Sequence, residues 1–516
     1  GVASVLGGGS GVFELGEWID DLTRRELIQP DRAEPGALRF RHALIRDAAY
    51  DMLTEDDRRI GHRLAAQWLE RSGRREPLTL AAHYERGGEA AAAVRWYHAA
   101  VDDAVEGNDL AAVEERGERA VAAGARGAVL GAVRCQQAIA AYWRSDYAAA
   151  DRHGEAALAL LAVGSVDWFR AAGAAIVAAA RLGDYAAVDR RFEAALAAPC
   201  APDAVAAQLI CLCRGTFQLV FNGRLARADE ILARIAAIHG AGAVDALTTA
   251  QVEHVAGVRW AHVGDVGRFL RHLQAAVDAF ERAGDVRNVS LERTTVAWCW
   301  AELGELARAA AIGRDNLARC QALRAPQAIT YAKVNLGYIL ALDPAARAEG
   351  TAILDDAIAE CRAVGNTRLE GWARAHRATA RLADGDAAAA LTDATAATAA
   401  LAAAPGLQAW ARAVGARAQV ALGDAPAAIA EARAAIAVID RLGGLLQGET
   451  TPPLALIEAL RATGDVDGAA AAARDAQARL AARAARLGDP AWQASFLTLT
   501  DNQRTLALAA ELAASG

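Results

Sequence analysis

Lysine and methionine are almost missing from this chain of 516 residues. Lys333 is the only lysine among 55 basic residues, and Met52 is the only methionine. A phosphate-binding loop of the form Gly-x-x-x-x-Gly-Lys-Ser/Thr needs its lysine to reach the terminal phosphates. Lys333 stands in no such loop, and the residue set of a protein kinase is also missing. The glycine-rich segment 7–11 is therefore interpreted as a linker or turn.

Long apolar runs and an excess of positive charge are missing too. No stretch of about 18 uninterrupted apolar residues predicts a membrane-spanning helix. The formal net charge is −8, whereas nucleic acids and anionic membranes require a basic surface. With 54% hydrophobic and 23% charged residues, the sequence is typical of a folded globular chain. We expect a cytoplasmic protein that binds neither nucleic acid nor membrane.

The cysteines and histidines form no recognisable metal or catalytic motif. The cysteines are odd in number and include no Cys-x-x-Cys pair, which fits reduced thiols in a helical core. Two thiolates at Cys211 and Cys213 cannot fill a tetrahedral zinc site. His254 and His262 stand eight residues apart, and no histidine pair has the i, i+4 spacing of a zinc hydrolase. We expect no enzyme activity, no metal and no cofactor in this chain. The seven cysteines are Cys135, Cys200, Cys211, Cys213, Cys299, Cys320 and Cys361.

A short turn recurs along the chain at steps of 38 to 42 residues. Alanine, the strongest helix former, supplies more than a quarter of all positions. The pattern predicts pairs of helices in which glycine ends the first in a left-handed conformation and aspartate caps the second. Asp343-Pro344 replaces the glycine altogether. The turns are Gly107-Asn108, Ser145-Asp146, Gly183-Asp184, Asn222-Gly223, Gly264-Asp265, Gly304-Glu305, Asp343-Pro344, Gly385-Asp386, Gly423-Asp424 and Gly464-Asp465.

This period and the opening Gly183-Asp184-Tyr185 resemble the tetratricopeptide repeat (TPR), whose standard unit has 34 residues. The fold class expected is therefore all-α: a right-handed superhelix of TPR-like αα-hairpins, preceded by a small winged-helix domain. The domains expected are a linker over 1–11, a winged-helix-like domain over 12–75, TPR-like repeats of about 40 residues over 78–485, and capping helices over 486–516.

Residues 12–75 differ from the repeats in pattern. An apolar stripe of helical spacing runs through Leu15, Trp18, Ile19 and Leu22. A hairpin is expected around the turn residues Pro30, Asp31, Pro35 and Gly36. A second helix is expected over about 43–53. Thr54, followed by Asp57, predicts the cap of a third helix. Because winged helices often bind DNA, that function is an alternative for this segment, although its arginines are matched by acidic residues.

The segment Phe40-Arg41-His42-Ala43-Leu44-Ile45-Arg46-Asp47-Ala48-Ala49-Tyr50 resembles the winged helix that follows the ATPase core in STAND signalling ATPases. The run Ala93-Val94-Arg95-Trp96-Tyr97 and the end Gly488-Asp489-Pro490 are similar to bacterial serine/threonine protein kinases with AAA/STAND and TPR regions. The resemblance implies that this chain is the C-terminal part of such a protein.

The resemblance also implies one site residue. In STAND proteins the histidine of a Met-His-Asp-like motif contacts the β-phosphate of ADP, and His42 stands at the matching place, with Ala43 where the family has aspartate. His42 would sense nucleotide only together with an ATPase domain, so ADP and ATP are expected in the parent protein. The structural interpretation of His42 is a histidine packed at the end of a strand.

The expected function is that of a non-catalytic sensor arm. A protein, a peptide or a small-molecule inducer would bind the repeats, and the winged helix would relay this to the ATPase or kinase part. The alternatives are the arm of a LuxR-type ATP-dependent transcriptional regulator and a free-standing TPR scaffold. The candidate contacts of a concave face, for each of which core packing is the competing interpretation, are Trp143, Trp260, Trp298, Trp300 and Trp372.

Overall fold

A computed structural model describes residues 12–31, 37–144, 146–445 and 447–515. The expected linker over 1–11, the turn residues Pro35 and Gly36, and Ser145 lie outside these residues. The chain divides into two compact units, Gly1–Ala207 and Gln208–Gly516. Within its described residues each unit is built almost wholly of helices, so the all-α helical-repeat class predicted from the sequence is confirmed.

The first unit opens with two strands among three helices. They are α1 (Val12–Arg24), β1 (Ile28–Pro30), β2 (Leu38–Phe40), α2 (Ala43–Asp51) and α3 (Glu55–Arg71), called here the N-terminal elements. The strands pair antiparallel, with Ile28 opposite Phe40. Thr54 caps α3 as predicted, since its Oγ1 accepts from the backbone N–H of Asp57 at 3.2 Å. Helix α1 confirms the helix that the apolar stripe predicts, and the Trp18 side chain on this stripe is 69% exposed.

Helical pairs fill the rest of the first unit. These helices are α4 (Pro77–Arg86), α5 (Ala90–Glu106), α6 (Leu110–Ala122), α7 (Gly127–Trp143), α8 (Tyr147–Leu160), α9 (Val166–Leu182) and α10 (Tyr185–Ala197). Helix α3 joins their core through Ala66, which is buried with Leu80, Tyr84 and Tyr97. By contrast, α2 buries no residue.

The helical pairs continue through the second unit. After a 3₁₀ turn (Pro202–Ala204) come α11 (Val205–Phe221), which crosses the division between the units, α12 (Leu225–Gly240), α13 (Ala246–Ala261), α14 (Val266–Ala283), α15 (Val286–Glu302), α16 (Leu306–Ala322), α17 (Pro326–Leu342), α18 (Arg347–Ala363), α19 (Thr367–Ala383), α20 (Ala387–Ala400), α21 (Pro405–Ala421), α22 (Ala425–Leu442), α23 (Thr451–Ala462), α24 (Val466–Arg486), α25 (Pro490–Leu497) and α26 (Thr500–Ser515). Helix α26 covers the apolar faces of α23 and α24, placing Leu508 and Leu512 against Leu454 and Ala473.

The predicted turn chemistry joins the two helices of a pair. At Gly183 the backbone is left-handed with φ +80°, and Oδ1 of Asp184 accepts from the N–H of Ala187 at 2.9 Å. The prediction needs a correction of register at the first turn, where the left-handed residue is Asn108 and the cap is Asp109. It also needs a correction before α12, α16 and α18, where Arg224, Glu305 and Ala346 make no side-chain cap. The left-handed glycines at the predicted turns are Gly183, Gly223, Gly264, Gly304, Gly385, Gly423 and Gly464. The capping aspartates are Asp109, Asp146, Asp184, Asp265, Asp386, Asp424 and Asp465.

One helix of the described residues is long and apolar enough to cross a membrane. It is the 20-residue stretch Pro202–Phe221, with a mean hydropathy of 1.5. Arg214 lies inside this stretch, so the stretch is not an uninterrupted apolar run. In the structure 61% of an apolar 18-residue segment of this stretch is buried, as expected of a helix in the core of a repeat protein.

Candidate functional site

His42 lies at the surface of the N-terminal elements. It is the residue before α2, with φ −130° and ψ 138°, and its side chain makes no capping hydrogen bond. The ring is exposed. It is therefore not packed as the structural interpretation of His42 expects. Beside it, Nη1 of Arg41 lies 2.6 Å from Oε2 of Glu26, which ties the start of α2 to the residues before β1. The nucleotide-sensing role of His42 stays a prediction.

Large exposed apolar side chains are frequent in the sequence on both sides of His42. Leu44 is 82% exposed, Met52 is 86% exposed and Phe40 is 43% exposed. Concentrations of such side chains on a protein surface mark places where another molecule or domain binds. The other large apolar side chains that are exposed within residues 15–60 are Trp18, Leu38, Tyr50, Leu53 and Ile60.

A chain of side-chain hydrogen bonds joins α2 to the first repeat helix. The hydroxyl of Tyr50 lies 2.8 Å from Nε2 of His62, and Nδ1 of His62 lies 2.9 Å from Nδ1 of His83. Only one of two facing ring nitrogens can carry the shared proton, so this contact requires that the two rings are not both protonated. Burial lowers the pKa of both histidines, and Arg86 lowers it further. Helices α2, α3 and α4 are thereby linked through neutral rings.

The tryptophans proposed as surface contacts differ in exposure and in surroundings. Trp298 and Trp300 are buried, with exposed fractions of 2% and 4%, so core packing is the correct interpretation for both. Trp143 is 62% exposed. Trp260 lies at the edge of a cavity, and Trp372 belongs to a polar group inside the second unit.

This interior cluster consists of Tyr338, Trp372, His376, Trp410 and Gln447. The ring of His376 stacks on Tyr338 with centroids 4.2 Å apart, and it lies 5.3 Å from the centroids of both Trp372 and Trp410. Gln447 comes from the connection between α22 and α23, and it is 1% exposed. Helices α17, α19 and α21 and this connection thus converge on one imidazole ring.

Gln447 lies within hydrogen-bond distance of both Trp372 and His376. Nε1 of Trp372 donates to Oε1 of Gln447 at 2.7 Å. Nε2 of His376 lies 3.1 Å from the amide nitrogen of Gln447 and 3.3 Å from its Oε1, so the tautomer of the ring decides which of these two atoms is its partner. Burial lowers the pKa of His376 to about 3, and the ring is therefore neutral under physiological conditions. Neither His376 nor Gln447 was predicted from the sequence, since nothing near Gln447 in the sequence marks it as a core residue.

Buried charges lie close to the interior cluster. The hydroxyl of Tyr338 donates to Oε1 of Glu302 at 2.7 Å, and burial raises the pKa of Glu302 to about 7. Nearby, Arg417 donates to Glu458 at 2.9 Å and to Asp501 at 2.8 Å. Buried polar groups cost more than apolar packing unless they are fully hydrogen-bonded. The interior of the second unit is therefore more polar than a repeat core requires.

His254, His262 and Cys211 are held by burial and by contacts within the second unit. No group of three or more His, Cys, Asp or Glu side chains in these ranges is arranged to hold a metal ion. His254 pairs with Glu292 at 2.8 Å, whereas Nδ1 of His262 bonds to the carbonyl of its own helix. Burial raises the pKa of the Cys211 thiol to about 12, which makes it a poor nucleophile.

Lys333, the single lysine, forms a surface ion pair rather than a phosphate site. Its ammonium group lies 2.5 Å from Oε1 of Glu360 and also contacts Asp356. These carboxylates hold its pKa above the ordinary value, although burial opposes them. The lysine therefore joins α17 to α18.

Comparisons with known proteins give weak fold similarities only. No protein-family model and no curated protein matches the sequence. Three similar solved structures are a Rap protein complexed with competence and sporulation factor (11% identity, TM-score 0.46, 68% of this chain and 100% of that one), a STAND protein with a tetratricopeptide repeat sensor from Pyrococcus horikoshii (12%, 0.42, 82% and 60%), and the APC/C hetero-tetramer Cut9–Hcn1 (12%, 0.40, 90% and 98%).

These values carry no argument about function. The helix pairs, the left-handed glycines and the aspartate caps place the chain in the structural class without them. It is a TPR-like helical-repeat protein.

Proposed function

We propose that this chain is the non-catalytic sensor and interaction arm of a STAND-type signalling ATPase. Its repeats bind a protein or peptide partner, or a small inducer, and the N-terminal elements, acting as a winged helix, relay binding to an ATPase or kinase part. The observation that carries this proposal is the frequency of exposed apolar side chains on both sides of His42 in the sequence. A surface with Leu44 and Met52 more than four-fifths exposed is suited to being covered by another domain.

The hydrogen-bond chain from Tyr50 through His62 to His83 supports the relay. It connects α2, which carries the exposed apolar side chains, to α4, the first helix of the repeats. A change in the position of α4 would break these bonds or move α2 with it. In such a two-state device the ligand of the repeats shifts the population between an ADP-bound closed form and an ATP-bound open form.

Charge pairing in the N-terminal elements disfavours the DNA-binding alternative. Arg24 and Arg25 both pair with Asp21, and Arg41 pairs with Glu26. Arginines already neutralised by carboxylates add little to the counterion release that drives binding to DNA. For this reason we favour a relay role over DNA binding for the N-terminal elements. We expect the protein to be cytoplasmic.

The covering domain is tested by its binding to this chain. Leu44→Asp and Met52→Asp each place a charge on the exposed apolar surface, and we expect each to weaken binding of the parent's ATPase segment at least tenfold. Val364→Asp is the matched control, because Val364 is 77% exposed in the repeats and should leave binding unchanged. Equal binding by all three variants would contradict the proposed docking surface.

The relay is tested in the parent protein. Deletion of residues 78–516 should leave nucleotide exchange insensitive to the inducing signal, and His42→Ala should accelerate release of ADP. His98→Ala, a change of another histidine outside the N-terminal elements, is the control. A signal response that survives the deletion would overturn the sensor assignment.

A further inference from the structure

One connection between helix pairs enters the interior of the second unit. It is the stretch 443–450 between α22 and α23, called here the inserted segment, whereas the other connections between successive pairs of this unit have two to five residues. Among its described residues, Leu445 and Gln447 are each 1% exposed and Glu449 is 7% exposed. Connections ordinarily run over the surface of a protein. The inserted segment is instead enclosed by the repeats.

Helices from three different pairs face the inserted segment. The backbone N–H of Gly448 faces the carboxylate of Glu302 on α15, and Nε1 of Trp372 on α19 donates to Gln447 at 2.7 Å. Trp410 on α21 lies so close that a Cβ atom on Gly448 would be 2.1 Å from its Cδ1. Surfaces formed jointly by successive repeats are those on which repeat proteins bind their partners. The inserted segment therefore occupies a groove that is suited to an extended chain.

Side chains, rather than backbone pairing, hold the inserted segment in this groove. No backbone–backbone hydrogen bond of the described residues joins positions 444–447 to a helix. The amide of Gln447 lies against the ring nitrogens of Trp372 and His376, and Oε2 of Glu449 accepts from the backbone N–H of Leu445 at 3.0 Å. Another extended chain can therefore take this place without breaking a backbone hydrogen bond of the surrounding helices.

The groove selects a particular pair of residues. A primary amide offers both a donor and an acceptor, which serve the ring nitrogens of His376 and Trp372 together. The next position has to be glycine, because Gly448 has φ +63° and leaves no room for a Cβ atom beside Trp410. A glutamine followed by glycine meets both requirements.

We propose that the inserted segment is an internal competitor, and that the partner of the second unit is an extended peptide with a Gln-Gly pair. The partner's glutamine takes the place of Gln447 beside Trp372 and His376, and its glycine lies against Trp410. This inference rests on the proposed function, because it names the class of partner that the repeats bind and how that binding is restrained. A segment of the same chain competes at an effective concentration on the order of millimolar.

The test is binding of a fluorescein-labelled peptide with the sequence of residues 443–450 to the full chain, followed by fluorescence anisotropy. Gln447→Ala removes the amide that holds the inserted segment, and Gly448→Ala places a Cβ atom against Trp410. We expect each variant to bind the peptide at least tenfold more tightly than the unchanged chain. Gln503→Ala is the matched control, since Gln503 is exposed and should leave peptide binding unchanged.

Further variants show whether the peptide lies in the groove. Added to Gly448→Ala, the change Trp372→Phe keeps an aromatic ring but removes the donor, and it should weaken peptide binding about tenfold. Trp143→Phe, at a side chain 62% exposed in the first unit, should have no effect. A peptide with alanine in place of its glutamine should bind at least tenfold more weakly. Circular dichroism checks that each variant is helical.

Four results would overturn the inference: no tighter binding in either Gln447→Ala or Gly448→Ala, equal binding of the two peptides, no effect of Trp372→Phe, or loss of helical structure in both variants of the inserted segment. The last result would show that the segment is an indispensable part of the core. Each would leave the docking surface standing, because binding of the ATPase segment through Leu44 and Met52 is measured separately. Failure of that binding alongside the expected peptide results would refute the proposed relay alone.

Discussion

Nε1 of Trp372 lies 2.7 Å from Oε1 of Gln447, a residue 75 positions further along the chain. This hydrogen bond holds the connection between α22 and α23 against helix α19. It also places the Gln447 amide within hydrogen-bond distance of Nε2 of His376. One glutamine therefore contacts two aromatic side chains of α19.

Replacement of Gln447 should destabilise the protein. Gln447→Ala leaves Nε1 of the half-buried Trp372 without its acceptor and opens a space at the buried position of Gln447, and we expect a loss of about 1–3 kcal/mol in the free energy of unfolding. Urea denaturation followed by circular dichroism measures this loss. The matched control is Gln503→Ala, since Gln503 is exposed and should change stability by less than about 0.5 kcal/mol. Equal effects of the two substitutions would refute the structural role of Gln447.

Glu302 should make stability depend on pH in an unusual direction. Burial raises its pKa from the ordinary 4.5 to about 7 in the folded chain, so the folded state holds the proton more tightly. The contribution of Glu302 to stability is therefore greatest below pH 4.5 and is lost as the pH rises to 7, by a total of about 3 kcal/mol. Glu302→Gln should raise the melting temperature at pH 8 relative to the unchanged protein, with a smaller gain at pH 5. A gain that is larger at pH 5 would contradict the buried carboxyl.

The pair of His62 and His83 should make the stability fall as the pH is lowered, opposite to the effect of Glu302. Burial lowers the pKa of both rings below 6.5, so their contribution to stability is present above pH 6.5 and is lost as the pH falls towards their folded-state pKa values. His83→Asn removes a titrating ring and should reduce the fall in melting temperature between pH 7.5 and pH 5. His98→Asn is the control and should leave this fall unchanged. Identical pH profiles for His83→Asn and the unchanged protein would exclude the pair as the cause.

Gly350 should not accept a side chain. A Cβ atom there would lie 2.6 Å from the carbonyl oxygen of Gly337 and 2.6 Å from the backbone nitrogen of Ala341, so α17 and α18 would have to separate. We expect Gly350→Ala to cost about 3 kcal/mol in the free energy of unfolding. Gly61→Ala is the matched control within helix α3, where the new Cβ meets no atom within 4 Å, and it should stabilise the protein by about 1 kcal/mol. If Gly350→Ala and Gly61→Ala both stabilised the protein, this would contradict the close approach of α17 and α18.

The sequence was sufficient for the repeat because turn chemistry is local. Gly183 and Asp184 determine a turn within a few residues, and the same chemistry recurs at a nearly constant period. Thr54 was predictable for the same reason, since a cap and its partner stand three residues apart. The position of the cap shifts by one residue where asparagine takes the left-handed conformation, at Asn108. The aspartate cap is replaced by a residue without a side-chain cap at Arg224, Glu305 and Ala346.

The interior cluster and the cavity could not be predicted in this way. Gln447 contacts residues more than 70 positions away, and no periodic signal connects such residues in the sequence. Arg259, which lines this cavity, is one of 54 arginines, and its ion pair with Asp229 forms only once α12 and α13 are packed. Trp18 shows that helical spacing predicts a helix but not its burial, because α1 forms while the Trp18 side chain is exposed.

The central claim is that this chain is the arm of a signalling ATPase, and the coding sequence in frame upstream of Gly1 tests it most directly. Our account predicts a Gly-x-x-x-x-Gly-Lys-Ser/Thr loop there, which would complete the nucleotide site that His42 is proposed to sense. A start codon close to Gly1, with no such loop before it, would contradict the account. The chain would then be a free-standing helical-repeat scaffold, and the role proposed for His42 would be wrong.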